Sequence, residues 1–352
     1  MKARKRLTVW VFLIGSLGWL ACLNDYVSPQ TPYYQGKTIT ILRGGTAGGM
    51  GDVQTRALIP FLRRYIPGEP AIVIEYMPGA AGRKGVNYIY SMARPDGLTM
   101  GAVGAGLVIG PILGLPGTKY DLDRLIYLGS TESGDSPAFG TRKEAGLDSL
   151  EKLRAATGIK IGGHAVGHIT YVNGRLFAYL LGLREPRFVV GYSGPELEVA
   201  LLRGEVDARS ITSTTIQINP ELLERAHFHA IIAVPKGKYY PPFSPHLPEI
   251  DLFARTEKER EVLRLYRGFV YPRWPFILSP GTPKELVDIL REAMAKTLKD
   301  PGFSKEFRRL AGRDPSPLTG EELEKAVKEL PRNPEVVDLY KKIASHGPLP
   351  PR

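Results

Sequence analysis

The chain has 352 residues, 47 Lys and Arg against 36 Asp and Glu, 43 % hydrophobic residues and a single cysteine. At roughly 150 residues per domain, that length implies two domains, each able to bury a core of its own. The 24 % charged content sits near the globular average and excludes a disordered, collagen-like or polytopic membrane chain; one cysteine excludes an internal disulfide framework and a zinc site built on cysteine pairs.

Lys2, Arg4, Lys5 and Arg6 precede an uncharged apolar run from Leu7 to Ala21. That is the layout of a secretory signal, and the run is short for a spanning helix, which needs about 20 residues. Cys22 follows Trp19-Leu20-Ala21, where a lipoprotein signal places its modifiable cysteine. The other reading makes Cys22 part of the discarded leader or of an uncleaved anchor. Residues 1–22 are thus expected as leader and 23–36, with Pro29, Pro32, Tyr33 and Tyr34, as a tether. A mature chain without cysteine fits an oxidising, exported location. Without the leader the net charge falls from +11 to +7. No Lys/Arg block interleaved with aromatics remains, so an ordinary basic surface is expected and no nucleic-acid partner.

Lys37 to Leu42 is a β-branched run ending in glycines, which predicts a buried strand. Val53, Ala57, Leu58, Phe61 and Leu62 have helical spacing within Asp52–Tyr65. Ala71–Tyr76 predicts a second strand, Val86–Met92 a helix and Leu98–Val103 a third strand, with turns at Pro67-Gly68, Pro78–Gly82 and Pro95-Asp96-Gly97. Helices over Leu147–Ala156, Tyr171–Leu181 and Pro195–Arg203 then alternate with strands at Ile159–Gly162, Phe188–Val190, Val206–Ile211 and His229–Val234. This order argues two α/β lobes with parallel sheets facing a cleft. A Pro-rich stretch over Tyr239–Pro248, a charged helix over Thr256–Tyr266 and a connecting strand over Phe269–Ser279 follow. Amphipathic helices are expected over Pro283–Lys299 and Glu321–Leu330.

The glycine loop Gly44-Gly45-Thr46-Ala47-Gly48-Gly49-Met50-Gly51-Asp52 lies between a predicted strand and helix. Backbone amides can converge on an anion there, aided by the helix N-terminus; the alternative is a purely structural turn. It is no Walker A loop, since the Lys-Ser/Thr pair is missing, and Asp52 is placed to cap the helix. Gly104-Ala105-Gly106 is a poor dinucleotide fingerprint. Gly191-Tyr192-Ser193-Gly194-Pro195 is a near miss to a nucleophile elbow, which leaves an exported hydrolase using Ser193 as the alternative function. His164 and His168 sit among glycines, and His227 and His229 share a strand face, so polar loop or surface histidines are expected rather than metal ligands. No metal or cofactor is expected.

Taken together, several segments resemble the solute receptors of tripartite tricarboxylate transporters. These are Gly48-Gly49-x-x-Asp52 with Arg56, Met77-Pro78-Gly79-Ala80-Ala81-Gly82, and Arg94-Pro95-Asp96-Gly97-Leu98-Thr99. Val190-Gly191-Tyr192-Ser193-Gly194, Leu202–Asp207 and Ser279-Pro280-Gly281-Thr282-Pro283-Lys284 extend the likeness over the exported chain. The resemblance implies a type II periplasmic-binding-protein fold, with lobe 1 over 37–130, lobe 2 over 131–275 and a return to lobe 1 over 276–352. It implies a monomeric, non-enzymatic receptor for a small carboxylate, working with membrane permease subunits. The ligand residues it implies are Thr46, Ala47, Gly48, Gly49 and Asp52, then Pro78, Gly79 and Ala80, then Val166, Gly167 and His168, and finally Tyr192, Ser210 and Thr212. Arg43 departs from the family pattern at the strand end, where it either pairs with an acid or reads a second carboxylate. Ala165 stands for a glycine, Ser193 for a lysine, and Arg273-Trp274 lies near the closing strand.

Overall fold

A computed structural model describes residues 31–104, 106–237, 243 and 246–352. The leader, Cys22, the start of the tether and most of the Pro-rich stretch lie outside the described residues.

The first sheet begins with β1 (Thr38–Arg43), α1 (Met50–Tyr65), β2 (Ala71–Tyr76), α2 (Arg83–Ser91), β3 (Thr99–Ala102), α3 (Gly106–Leu113) and β4 (Ile126–Ser130). The chain then builds β5 (Pro137–Arg142), α4 (Leu150–Ala155), β6 (Lys160–Gly162), α5 (Ile169–Leu181), β7 (Arg187–Val189), α6 (Gly194–Arg203), β8 (Ala208–Thr212), α7 (Ser213–Ile218), α8 (Leu222–Arg225), β9 (Ala226–Ile231) and α9 (Glu257–Val270). It returns through β10 (Pro275–Leu278), α10 (Lys284–Lys299), α11 (Pro301–Ala311), β11 (Leu318–Thr319), α12 (Gly320–Lys328) and α13 (Pro334–Ala344). One sheet runs β11-β4-β10-β3-β1-β2 and the other β7-β6-β8-β5-β9.

β1 lies parallel to both β2 and β3, from Thr38↔Ala71 to Arg43↔Tyr76 on one side and Thr40↔Thr99 to Arg43↔Ala102 on the other. Ile39 and Ile41 point into a core shared with Ala57, Leu58 and Leu62 of α1, which is why the β-branched run and the helical stripe were both readable.

Register also fixes where the two lobes face. β3 ends at Ala102 opposite Phe276, and β4 ends at Ser130 opposite Pro275. In the second sheet β8 ends at Thr212 opposite Pro137, where β5 starts, and β6 runs parallel to β8. Both crossovers, 131–136 and 271–274, therefore join the carboxyl ends of the parallel strands of one sheet to those of the other. The loops after β1, β2, β3, β6, β7 and β8 consequently look across the same gap, the place where open α/β sheets bind ligands.

Several sequence expectations change. Both sheets are mixed rather than parallel, since β10 runs antiparallel to β3 and β4, and β5 antiparallel to β8 and β9. Tyr34, expected in the tether, is 0 % exposed and Tyr33 donates to Asp96 O at 2.9 Å, so packing begins before residue 37. Phe269 belongs to α9 rather than to a connecting strand: a Thr256–Glu259 capping box starts that helix, and Val262, Tyr266 and Phe269 form one apolar stripe. Phe269 stacks edge-on against Tyr340 at 5.2 Å. The last helix, expected within lobe 1, instead packs on α5 and α9.

Glu132 pins the first crossover. It is 3 % exposed, accepts from Arg313 at 2.5 and 3.0 Å and from Gln54 Nε2 at 2.8 Å. Burial opposes its ionisation, but Arg313, Arg273 and Gln54 outweigh it and hold its carboxyl below the usual range. A depressed carboxyl adds stability above its unfolded pKa, and that increment disappears as pH falls through the folded value. Glu132→Gln is expected to lose about 3 kcal/mol at pH 7 by leaving Arg313 buried and unpaired. In denaturant titrations the gap between wild type and variant should shrink at pH 3; an equal gap at both pH values would refute the ion-pair account.

Candidate functional site

Three glycine-bearing turns meet at the carboxyl edge of the first sheet. A Cβ at Gly44 would lie 3.1 Å from Gly82 Cα, and one at Gly106 would lie 2.2 Å from Ala81 O. Absence of side chains at Gly44 and Gly106 thus lets the loop after β1, the Pro78–Gly82 turn and the start of α3 touch backbone to backbone. The Gly104–Gly106 glycines, a poor cofactor fingerprint in sequence, serve this packing.

In the loop after β1, the N–H groups of Gly45, Thr46, Ala47, Gly49, Met50 and Gly51 donate to no backbone carbonyl among the described residues. They line the start of a 16-residue helix, an arrangement that attracts anions. Asp52 ties the loop down. Its carboxylate accepts from Gly48 N at 2.9 Å, Tyr76 Oη at 2.7 Å and Arg56 Nε at 3.0 Å. Burial opposes its ionisation, yet these bonds outweigh it and keep the carboxyl below its ordinary range. Asp52 and the Gly48 amide are thus committed to each other rather than to a ligand.

Gly79, Ala80, Ala81 and Gly82 all have positive φ, at 136°, 48°, 55° and 89°. Two alanines in the left-handed region cost roughly 1–2 kcal/mol each, and strain of this kind concentrates at functional turns.

Arg43, the last residue of β1, lies beneath the loop that follows it. It is 4 % exposed, and its Nη1 donates to Ala102 O at 3.2 Å. Its Nε has no acceptor among the described residues. Among the described residues no carboxylate forms an ion pair with it. Burial holds its pKa below the ordinary value, against the raising influence of Asp52 and Tyr76. The guanidinium carbon lies 5.7 Å from the Trp274 ring centroid, within cation–π reach. A Cβ on Gly51 would sit 1.9 Å from Arg43 Nη2 and 2.6 Å from the indole, so a side chain there would displace the guanidinium or the indole. Trp274 Nε1 is likewise buried without an acceptor among the described residues. In the sequence Trp274 stands out only as a departure from the family pattern; a lone tryptophan at the end of the second crossover carries no spacing signal of its own.

Across the gap, the turn after β6 carries Val166, Gly167 and His168, all exposed. Gly167 has φ +80°. His168 Nδ1 caps α5 by accepting from Thr170 N at 3.3 Å, and its ring stacks on His164 with centroids 4.4 Å apart. Burial lowers the pKa of both imidazoles, Arg209 adding to the shift at His164 and His164 at His168.

The remaining expected site residues have other duties. Ser210 is 2 % exposed and accepts from Asn173 Nδ2 at 3.2 Å, pointing into the lobe. Thr212 caps α7 by accepting from Thr215 N at 3.2 Å. Tyr192 lines a separate surface hollow of about 440 Å³ beside α6, its Oη 3.5 Å from Glu205. Ser193, the basis of the hydrolase alternative, is the N-cap residue of α6, and its N–H donates to Glu196 Oε2 at 2.8 Å. A cavity of about 390 Å³ opens at the crossovers between Ser213, Thr214 and Gln217 and the segment around Arg308–Ser316. Its charges are paired internally, Arg273 with Asp135 at 3.4 Å and Arg313 with Glu132. Among the described residues no group of three or more His, Cys, Asp or Glu side chains could hold a metal ion, and no helix is long and apolar enough to cross a membrane.

No protein-family model and no curated protein matches the sequence. Solved structures do. A TctC solute-binding protein from Polaromonas is similar with a TM-score of 0.67 at 19 % identity, over 88 % of this chain and 98 % of that one. MatC from Rhodopseudomonas palustris with bound malate gives 0.54 at 19 % identity, over 88 % and 99 %. Another R. palustris protein, with adipate, gives 0.55 at 19 % identity, over 88 % and 97 %. The fold is therefore the two-lobed α/β fold of type II periplasmic binding proteins.

Proposed function

We propose that this chain is an extracytoplasmic solute receptor of the tripartite tricarboxylate transporter type. It captures a small carboxylate between its lobes and delivers it to membrane permease subunits. Its basic, apolar leader directs export to the periplasm, and Cys22 is the point at which a lipid would anchor it.

The observation that carries this reading is Arg43, a buried guanidinium with no ion pair among the described residues, beneath a helix start where several amides find no backbone acceptor among those residues. A carboxylate leaving water needs several donors to offset its lost hydration. Charge-assisted bonds from fixed backbone supply them without the entropy of long side chains. Loops of the second lobe would close over the bound acid, the closed form being the one that ligand stabilises and the permease reads.

The test is a thermal melt of the purified chain with malate, adipate, citrate and butyrate at rising concentration. At least one acid should raise the melting temperature progressively, since ligand at 100 times its Kd stabilises by about 2.7 kcal/mol. A midpoint unmoved by every acid would overturn the receptor reading.

A further inference from the structure

Trp274 is the last residue before β10, where the second crossover enters the first sheet, and its side chain reaches back to Arg43. The residue is partly exposed. Its ring carbon Cζ3 stands 2.6 Å from the place of a Gly51 Cβ and 3.9 Å from that of a Gly104 Cβ. The benzo edge is thus wedged between the first turn of α1 and the end of β3, with the ring centroid 5.7 Å from the Arg43 guanidinium carbon.

That guanidinium has little else to fix it. Nη1 donates to Ala102 O at 3.2 Å, and Nε finds no acceptor among the described residues. One hydrogen bond leaves a planar cation able to swing. An aromatic ring beside it supplies the missing restraint, because the ring quadrupole attracts a guanidinium more strongly as water is excluded.

The backbone carrying the indole belongs to the joint between the lobes. Gly134 N of the first crossover donates to Tyr271 O at 2.9 Å, Ser133 bridges to Pro272 and Arg273 Nη1 lies 3.4 Å from Asp135 Oδ2. The other Asp135 oxygen accepts from Ser213 Oγ at 2.7 Å and Thr214 N at 3.3 Å, at the start of α7 in the second lobe. Contacts therefore run from α7 through Asp135 and Arg273 to Trp274, and from the indole to Arg43.

We propose that Trp274 is a positioning residue of the site: its indole holds the Arg43 guanidinium in place for the ligand's carboxylate, and the crossover that carries it ties that hold to the stance of the lobes. This rests on the receptor reading. A guanidinium fixed in advance loses less freedom when the acid arrives, so the ring strengthens binding without itself touching the ligand. Rotation about the crossovers shifts the backbone at Arg273 and moves the indole with it, so a bound acid changes the surroundings of the ring.

The test is titration calorimetry of the full chain with malate, adipate, citrate and butyrate, run beside tryptophan emission. Wild type should bind at least one of these acids, and its emission should shift as the acid saturates. The other tryptophans, Trp10 and Trp19, lie in the apolar run before Cys22. Trp274→Phe keeps an aromatic ring, so it should bind with a Kd within about threefold of wild type and show no emission shift. Trp274→Leu should weaken the Kd about 10-fold, the worth of a well-excluded cation–π contact. A tryptophan that only packs would lower the melting temperature of both variants and leave the Kd alone. Equal Kd values for wild type and Trp274→Leu would therefore overturn the proposal. A bound acid that leaves wild-type emission unmoved, or a shift that Trp274→Phe retains, would overturn it too, and these decide the matter if Trp274→Leu does not fold. Each of those results leaves the receptor reading standing, whereas failure of wild type to bind any of the four acids would overturn both.

Discussion

Arg43→Met should make the protein more stable and, in the same molecule, remove its affinity for acids. Burial disfavours the charged form of Arg43, and among the described residues no carboxylate pairs with it, so the folded state carries an uncompensated cation. Replacing it by an apolar chain of similar length relieves that cost, by about 1–3 kcal/mol once partial screening is allowed. The change strands no partner, because Ala102 O keeps its bond from Gly44 N at 3.2 Å. Methionine is also flexible enough to fill the space against Trp274. Binding should move the other way. A guanidinium on the ligand's carboxylate contributes at least one charged bond, so Kd should weaken about 100-fold or beyond detection. Melts with and without malate or adipate read both effects together. A variant that melts lower yet keeps an undiminished ligand-induced shift would make Arg43 a structural residue and remove it from the site.

That opposition between stability and function explains which parts of the site were legible in sequence. The glycine loop after β1 was legible as a strand-to-helix turn because its glycines fall between a β-branched run and a helical stripe. Its finer division of labour was not. Asp52 sits at the spacing of a ligand residue, yet its acceptors are consumed by Gly48, Tyr76 and Arg56, which only the folded loop reveals. Ser210 alternates correctly along β8, but the sheet turns that face inward onto Asn173.

The fold shows a similar divide. β1 and β2 carry periodic apolar patterns and were placed within a residue or two. β5, by contrast, reads Pro-Ala-Phe-Gly-Thr-Arg and shows neither alternation nor a β-branched run. It is nonetheless the strand between β8 and β9. Pro137 is tolerated there because it is the first residue of the strand, and Gly140 because a Cβ would come within 2.9 Å of Ile211. Tertiary packing decided that strand against its local propensity.

The end of the chain supplies the largest stability effect. Arg175, in the middle of α5, is 0 % exposed and donates to the carbonyls of Ile343, Gly347 (2.8 Å) and Pro348 (3.4 Å). Its guanidinium also lies 4.6 Å from the Phe188 ring centroid. Tyr171 Oη adds a bond to Ser345 O at 3.1 Å, and Arg352 reaches Glu259 at 2.6 Å and Leu180 O at 2.6 Å. The segment after α13 is thereby sewn to α5 and α9, and Arg175 is the stitch with the most acceptors. Arg175→Met should lower the unfolding free energy by about 3–5 kcal/mol, because it withdraws the shared donor from several tail carbonyls at once. Arg175→Lys should recover little of it, since a single ammonium cannot serve three carbonyls spread around a planar fork. Denaturant titration measures the loss, and mass spectrometry after brief trypsin treatment shows where it falls. Cleavage after Lys341 and Lys342 should release the tail from the variant while wild type resists. Equal protection of the tail in both proteins, with an unchanged midpoint, would mean that α13 is held by its apolar face on Phe269 and that the guanidinium is dispensable.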